Sequence, residues 1–385
     1  MRFNLILAMA VLAMATLLSA PARAQVTFET AAPFAILVDH ESGTVLFQHN
    51  ADQRMEPASM AKLMTVAVVF DELRAGRLSM DAEFLVSENA WRTGGAASGG
   101  STMFAELNSH IGVEDLLRSV IIQSGNDASI VLAEGIAGSE STFALMMNEL
   151  SRDLGLDESH WTNSTGLPDP DMYTTPRDLA DLARWLIREY PEYYSMFAEP
   201  RFEWNGINQP NRNSLVDMGI NVDGLKTGHT NAAGYGSVVS TTEGGRRLIA
   251  VVHGLQSMRE RNEEGRKLLL WGARAFERVP AFPEGEIVGF ADVYGGETGR
   301  VGLVGEGALD LYLPRGSRRC LNAQIVYQGP LTPPVRAGQQ VAELRVFCDD
   351  ALIQVAPLYA ATDEGQGDIT RRALDALKHL ALGWL

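Results

Sequence analysis

Cysteine is scarce: the 385 residues hold two, Cys320 and Cys348. That number excludes a disulfide-built miniprotein, and their spacing excludes a C-x-x-C zinc or redox site. They read as two free thiols, or as one disulfide tying two strands of a single domain in an oxidising compartment. Proline is also sparse, 16 residues against 37 glycines, and with 46% hydrophobic and 21% charged residues neither a disordered tail nor a collagen-like fibre fits. Positive charge is short: 32 Lys and Arg face 48 Asp and Glu, a formal charge of -16. Such a field repels phosphate backbones and removes nucleic acid from the expected partners. No G-x-S-x-G, H-E-x-x-H, Walker A loop or G-x-G-x-x-G occurs. Lipase-type, zinc and nucleotide chemistry therefore lack their usual signals, and no cofactor or metal is implied. His40, His49, His110, His160 and His253 have no metal-like spacing and read as structural or surface residues. Trp91, Trp161 and Trp271 read most simply as core.

What is present begins with an export signal. Arg2 supplies a positive start, residues 5–18 (LILAMAVLAMATLL) are uncharged and apolar, and Ala22-Arg23-Ala24 is a small-x-small cleavage pattern. The reading is a signal peptide over residues 1–24 with a mature start at Gln25. A membrane anchor is disfavoured, because the run falls short of the roughly 20 residues that span a bilayer.

The rest is long enough for about two domains, each with its own core. Residues 34–38 and 44–48 are β-forming runs around a turn-like HESG, a plausible hairpin. From Pro57 the pattern turns helical and almost wholly apolar, the mark of a helix buried on most sides. Further helical stretches cover 113–122, 128–137, 140–154 and 176–189, and strand patterns return at 234–240 and 247–252. Strands, a helical middle and strands again predict an α/β layered domain whose sheet is built from both of its chain ends. Past residues 280–285 the chain reads as short strands cut by Gly and Pro, at 309–313, 323–326, 340–346 and 353–355, a small all-β domain. The expected organisation is an α/β domain over 25–283, a β domain over 284–361, a polar linker over 362–368 (TDEGQGD) and a helix over 369–385. In that helix Ile369, Ala373, Leu374, Leu377, Leu380, Ala381, Trp384 and Leu385 share one face and Arg371, Arg372, Asp375, Lys378 and His379 the other. It reads as an in-plane membrane anchor, with packing on its own protein as the alternative.

Three short segments carry chemistry. Ser59-Met60-Ala61-Lys62 at a helix start puts a hydroxyl and an amine three residues apart on one face. A helix N-terminus favours negative charge developing on an attacked carbonyl, and a lysine whose pKa is lowered can take the hydroxyl proton without histidine. Ser124-Gly125-Asn126 follows a helical run, where the Ser can relay protons and the Asn can bond a substrate amide. Alone it reads more readily as an ordinary loop with a helix cap at Asn126 or Asp127. Lys226-Thr227-Gly228-His229 on an edge strand can grip a carboxylate, with Gly228 letting a ligand backbone approach; the plainer reading is a turn between strands.

Each segment is weak alone, but their order and spacing, S-x-N 65 residues after S-x-x-K and K-T-G 102 residues further on, resemble the penicillin-recognising serine acyltransferases. The wording ASMAKLM, QSGNDAS and VDGLKTGHTNAAGY, with GGSTMF, WTNSTGL, the DLA-x-LARWLI run and QPNRNSL, is similar to the low-molecular-mass penicillin-binding proteins of the D-alanyl-D-alanine carboxypeptidase family, the penicillin-binding protein 5 and 6 type. The resemblance covers nearly the whole mature chain. It implies a β-lactamase/transpeptidase-like domain, an antiparallel sheet flanked by helices, ahead of the β domain and amphipathic tail. It implies Ser59 as nucleophile, Lys62 as general base, and Ser124 and Asn126 as proton-relaying and substrate-orienting residues. Lys226, Thr227 and Gly228 match the carboxylate-binding strand, with His229 beside them. Arg261 stands where the family often has an arginine near that pocket; Arg212 is a second candidate, and a surface ion pair is the alternative for both. The oxyanion hole is expected from two backbone N–H groups, one of them that of Ser59. Ala61 replaces a frequent Thr and Asn231 a frequent Asp, and neither change removes a reacting group.

The resemblance implies removal of the terminal D-alanine from peptidoglycan stem peptides ending in D-Ala-D-Ala, covalent inhibition by β-lactams, and a place on the periplasmic face of the bacterial inner membrane through the tail helix. A DD-endopeptidase or β-lactamase of the same fold, or a non-catalytic peptidoglycan-binding shape factor, are the rival readings.

Overall fold

The computed structural model describes residues 28–243, 245–315, 321–348, 351–373 and 375. The expected signal peptide, Cys320 and residues 376–385 of the expected tail helix lie outside the described residues.

The early hairpin is β1 (Phe34–Asp39) and β2 (Val45–His49); β3 (Val222–Thr230), β4 (Gly234–Glu243) and β5 (Arg246–Leu255) return to it. All pairs are antiparallel, in the order β2-β1-β5-β4-β3, so both ends of the domain build the sheet. The strand period of two splits its apolar residues between two cores. Ile36, Val38, Ile249 and Val251 face one; Ala35, Leu37, Leu248, Ala250 and Val252 face the other. The first core is closed by α1 (Lys62–Arg74), α2 (Val113–Arg118), α3 (Asn126–Ala137), α4 (Glu140–Asp153) and α5 (Pro176–Glu189), and the second by α6 (Met258–Ala275). Leu63, Met64, Val66, Ala67, Val69 and Phe70 are all buried, so α1 runs through the middle of its layer, which is why its sequence shows no polar face. Ser139 and Thr175 cap α4 and α5 by accepting from the N–H of Thr142 and Asp178.

Two expectations shift. The helix expected over 113–122 stops at Arg118, and a wider π-type turn, Ser119–Gln123, delivers the chain to Ser124. Trp161 is core and Trp271 packs with Phe28, Phe47 and Phe276, but Trp91 is 40% exposed. It stands on the short turn Ala90–Gly94, which buries its small residues Ala90 and Gly94 and leaves the indole outside.

The strands after α6 are β6 (Phe276–Phe282), β7 (Gly289–Asp292), β8 (Arg300–Val304), β9 (Leu309–Pro314), β10 (Leu321–Val326), β11 (Gln340–Cys348) and β12 (Ala351–Ala360). They run β7-β8-β12-β11-β10, with β6 on β9, around Ala291, Val301, Leu303, Leu344 and Leu358. Because β6 pairs with β9, strand pairing crosses the boundary expected after residue 283. Cys348, at the end of β11, is disulfide-bonded. One bridge, Val45 to Val355, continues the first sheet into this region, and Glu306 is gripped by Arg184 and Arg188 of α5.

Residues 362–368 do not hang free as a linker. Glu364 is buried, its carboxylate accepting from Thr298 N–H (2.6 Å), Thr298 Oγ1 (2.9 Å) and Gly299 N–H (3.0 Å). A buried acid with three donors is a fixed point, not a hinge. Residues 369–373 are helical, and Asp375 accepts from Gly295 N–H at 3.1 Å, so the described start of the tail rests on the β domain. Among the described residues no single helix is long and apolar enough to cross a membrane.

Candidate active site

The site forms where α1, α3 and the edge strand β3 meet. Pro57 precedes a tight turn, Ala58–Ala61, that leads into α1, so Ser59 and Lys62 lie one turn apart as their spacing predicts. Ala58 holds a left-handed backbone, φ +49°, uncommon for a residue with a side chain. Gly166, itself at φ +72°, braces it; a Cβ there would come within 1.9 Å of Ala58 O. Strained backbone of this kind persists only where its surroundings enforce it.

Ser59 is half-buried and its Oγ lies 3.2 Å from Lys62 Nζ. Lys62 is fully buried. Its amine also donates to Asn126 Oδ1 at 2.7 Å and to Thr165 O at 2.5 Å. Burial pushes its pKa down to about 7, against the opposing charges of Asp127 and Glu140. An amine balanced there holds and releases a proton with similar ease near neutral pH.

Ser124 follows the π-type turn in a left-handed conformation, φ +72°. Its Oγ is buried and has no protein partner among the described residues. An unpaired buried hydroxyl is costly, and facing a reacting centre is one reason to keep it. Asn126 opens α3, its Nδ2 donates to no described protein acceptor, and its N–H donates to Ser101 O at 2.8 Å. The N-cap position is Gly125, with no side-chain cap there, and Asp127 Oδ1 accepts from the first-turn Ala128 N–H at 3.0 Å.

β3 ends the sheet, paired among the described residues only with β4. Gly228 lets it lie against the nucleophile's turn; a Cβ there would meet Pro57 O at 3.0 Å and Met60 N at 3.1 Å. The glycine thus serves the strand's own packing. Lys226 is buried, and burial, then Lys62, Arg212 and Arg261, hold its pKa well below the ordinary lysine range. Thr227 is buried beside it, whereas His229 is exposed and stacks on Tyr235 at 3.8 Å.

Arg261 of α6 is 4% exposed, donates to Arg212 O at 3.2 Å, and burial pushes its pKa down to about 10. Neither Arg261 nor Arg212 forms an ion pair among the described residues, so the surface-pair reading does not hold for them. In a chain of net charge -16, Lys226, Arg261 and Arg212 gather cations without counter-ions at one place. A ligand carboxylate would relieve all three. His253, by contrast, lies against Gly236, where a Cβ would meet its Nδ1 at 2.2 Å, and burial pushes its pKa down to about 4, in keeping with a structural role.

The structure thus brings Ser59, Lys62 and Asn126 into direct contact, with Lys226, Arg212 and Arg261 as a cationic cluster acting on one another. Sequence reasoning missed three participants: Thr165, whose carbonyl accepts from Lys62, and the acids Asp127 and Glu140. The Thr165 turn was visible in the Asn163-Ser164-Thr165-Gly166 pattern, since Asn163 Oδ1 accepts from Thr165 N–H at 3.1 Å and Gly166 N–H at 2.9 Å.

Residues 19–257 match the family model for D-alanyl-D-alanine carboxypeptidase, and residues 276–366 that of the penicillin-binding protein 5 C-terminal domain. The chain belongs to the D-alanyl-D-alanine carboxypeptidase family. Among its relatives, D-alanyl-D-alanine carboxypeptidase DacC of Escherichia coli (strain K12) is 40% identical, over 88% of this chain and 86% of the relative. DacD of Salmonella typhimurium is 38% identical, over 90% of each. Penicillin-binding protein 5 from Haemophilus influenzae has a similar structure, with a TM-score of 0.70, 36% identity and coverage of 88% of this chain and 99% of that one. The match spans both the helical and the all-β parts, so the family extends past the site itself.

Proposed function

We infer that this member of the family is a serine-type D-Ala-D-Ala carboxypeptidase acting through an acyl-enzyme on Ser59. The observation that carries the reading is the buried amine of Lys62, balanced near neutrality and 3.2 Å from the Ser59 hydroxyl. Ser59 Oγ attacks the carbonyl carbon of the penultimate D-Ala as Lys62 Nζ takes its proton. The tetrahedral adduct collapses when the C–N bond breaks, the departing D-Ala amine receiving a proton through Ser124 Oγ. Water then attacks the ester, Lys62 takes a proton from it, and Ser59 is freed. Asn126 Nδ2 holds a substrate amide, while Lys226, Thr227 and Arg261 hold the terminal carboxylate, with Arg212 beside them. His229, at the exposed end of β3, borders that pocket.

A β-lactam enters the same sequence by opening its ring on Ser59, and the ester that results lacks a departing amine. The chain's natural substrate is a peptidoglycan stem peptide. The cleavage pattern at 22–24 and the two-faced pattern of 369–385 support export and attachment to the periplasmic face of the inner membrane.

The test is release of free D-alanine from a Lys-D-Ala-D-Ala peptide by residues 25–385, beside Ser59→Ala. Release lost in the variant is expected; equal release by both would sink the assignment of the nucleophile, and release by neither would sink the carboxypeptidase.

A further inference from the structure

Lys62 draws on two loops. Asn126 stands at the start of α3, and Thr165 in the turn after α4. Each of these acceptors is held by a carboxylate close to it in the chain or in space.

Asp127, next to Asn126, is fully buried. Its carboxylate accepts from Thr102 Oγ1 (2.5 Å), Met103 N–H (3.0 Å), Ala105 N–H (3.1 Å) and Ala128 N–H (3.0 Å). No cation pairs with it among the described residues. The segment it grips is the one whose Ser101 O accepts from Asn126 N–H at 2.8 Å. Residues 101–105 are therefore stapled to α3 at two adjacent positions. The turn inside that segment puts Phe104 at φ +66°, a conformation that the Asp127 staple enforces on both sides. Gly94 closes the packing from above: a Cβ there would lie 2.5 Å from Asp127 N.

Glu140, in the first turn of α4, mirrors this. Its carboxylate accepts from Ser164 Oγ (2.6 Å) and Ser164 N–H (3.2 Å), and Thr65 of α1 donates to Ser164 O at 2.7 Å. The next carbonyl along the chain is Thr165 O, the amine's shortest contact.

We propose that Asp127 and Glu140 are a pair of positioning residues for the Lys62 amine, each fixing one of its two acceptors and both acting on its charge through the dry interior. Neither touches the reacting atoms. The inference rests on the reading of Lys62 as the general base. The charged groups facing that amine are Asp127 from α3, Glu140 from α4 and Lys226 from β3, with Arg212 and Arg261 behind Lys226. The two carboxylates favour the ammonium and burial disfavours it, so removing either negative charge makes the amine give up its proton at a lower pH.

The experiment is the pH dependence of acylation by a chromogenic β-lactam, measured on the chain from residue 25 onward for wild type, Asp127→Asn, Glu140→Gln, the double variant and Thr102→Val. The wild type, with Lys62→Ala as its inactive partner, first fixes the limb that belongs to Lys62. In each charge-neutralised variant the acid limb is expected to move toward lower pH by about half a unit to one unit, and further in the double variant. Thr102→Val loosens the staple and keeps the charge, so it is expected to slow acylation with the limb in place. If a wild-type limb is present and both charge variants slow acylation by one factor at every pH, the inference is overturned while the base assignment stands. Should Asp127→Asn fail to fold, the half-buried Glu140 decides alone: a shifted limb supports the pair, an unshifted one refutes it.

Discussion

Lys62 Nζ donates to Asn126 Oδ1 across 2.7 Å, joining the first and second sequence motifs by one hydrogen bond. The contact is made in a dry interior, where it is stronger than in water and where the amine has lost much of its preference for charge. The first two motifs thus meet at the Lys62 amine.

Acylation should follow the neutral form of Lys62. With its pKa near 7, activity should rise through that pH and fall by about tenfold for each unit below it. Stopped-flow measurement of β-lactam acylation from pH 5 to 9 checks this; a flat profile down to pH 5 would remove Lys62 as the titrating base. Lys62→Ala should slow acylation by about a thousandfold or more.

The brace under Ala58 gives a second expectation. Gly166→Ala needs a side chain 1.9 Å from Ala58 O at a positive φ, so it should cost about 2–4 kcal/mol of stability and displace the nucleophile. Thermal melting with acylation kinetics measures both, and a variant with wild-type melting and acylation would show that the brace is dispensable.

The proposed role of the cationic cluster is to read substrate charge. Lys226→Gln and Arg261→Gln should each lower kcat/KM for a peptide ending in a free carboxylate by about 10- to 100-fold. On the corresponding C-terminal amide the variants should match wild type. An equal loss on both peptides would mean that these residues hold the fold, not the carboxylate.

Cutting after Asp368 removes the two-faced tail at the point where the chain leaves the Glu364 staple. The truncated chain should move from the membrane fraction to the soluble one with unchanged D-alanine release. Unaltered fractionation would place membrane attachment elsewhere.

Much of this was legible in the sequence, because it depends on local spacing. Ser59 and Lys62 meet because they are one helical turn apart, and the burial of α1 shows in its apolar residues. The meeting of these residues with Asn126 and Lys226 follows from no local rule and was reached through the resemblance. What stayed hidden depends on long-range packing. Thr165 reaches Lys62 across 103 positions. Asp127 looked like a helix cap, and beyond the Ala128 N–H it also grips residues 102–105. The polar stretch 362–368 hid a buried Glu364 because its three donors come from residues 298 and 299. Strands β6 to β8 escaped notice because they are short and set among Gly and Pro, where pairing partners decide the structure.

The central claim is that Ser59 carries the acyl group. Its most direct test is to react residues 25–385 with benzylpenicillin and map the adduct by peptide mass spectrometry. One added penicilloyl mass on the peptide containing Ser59, absent in Ser59→Ala, is the expected result. An adduct on the peptide containing Ser124, or one that persists in Ser59→Ala, would contradict the account.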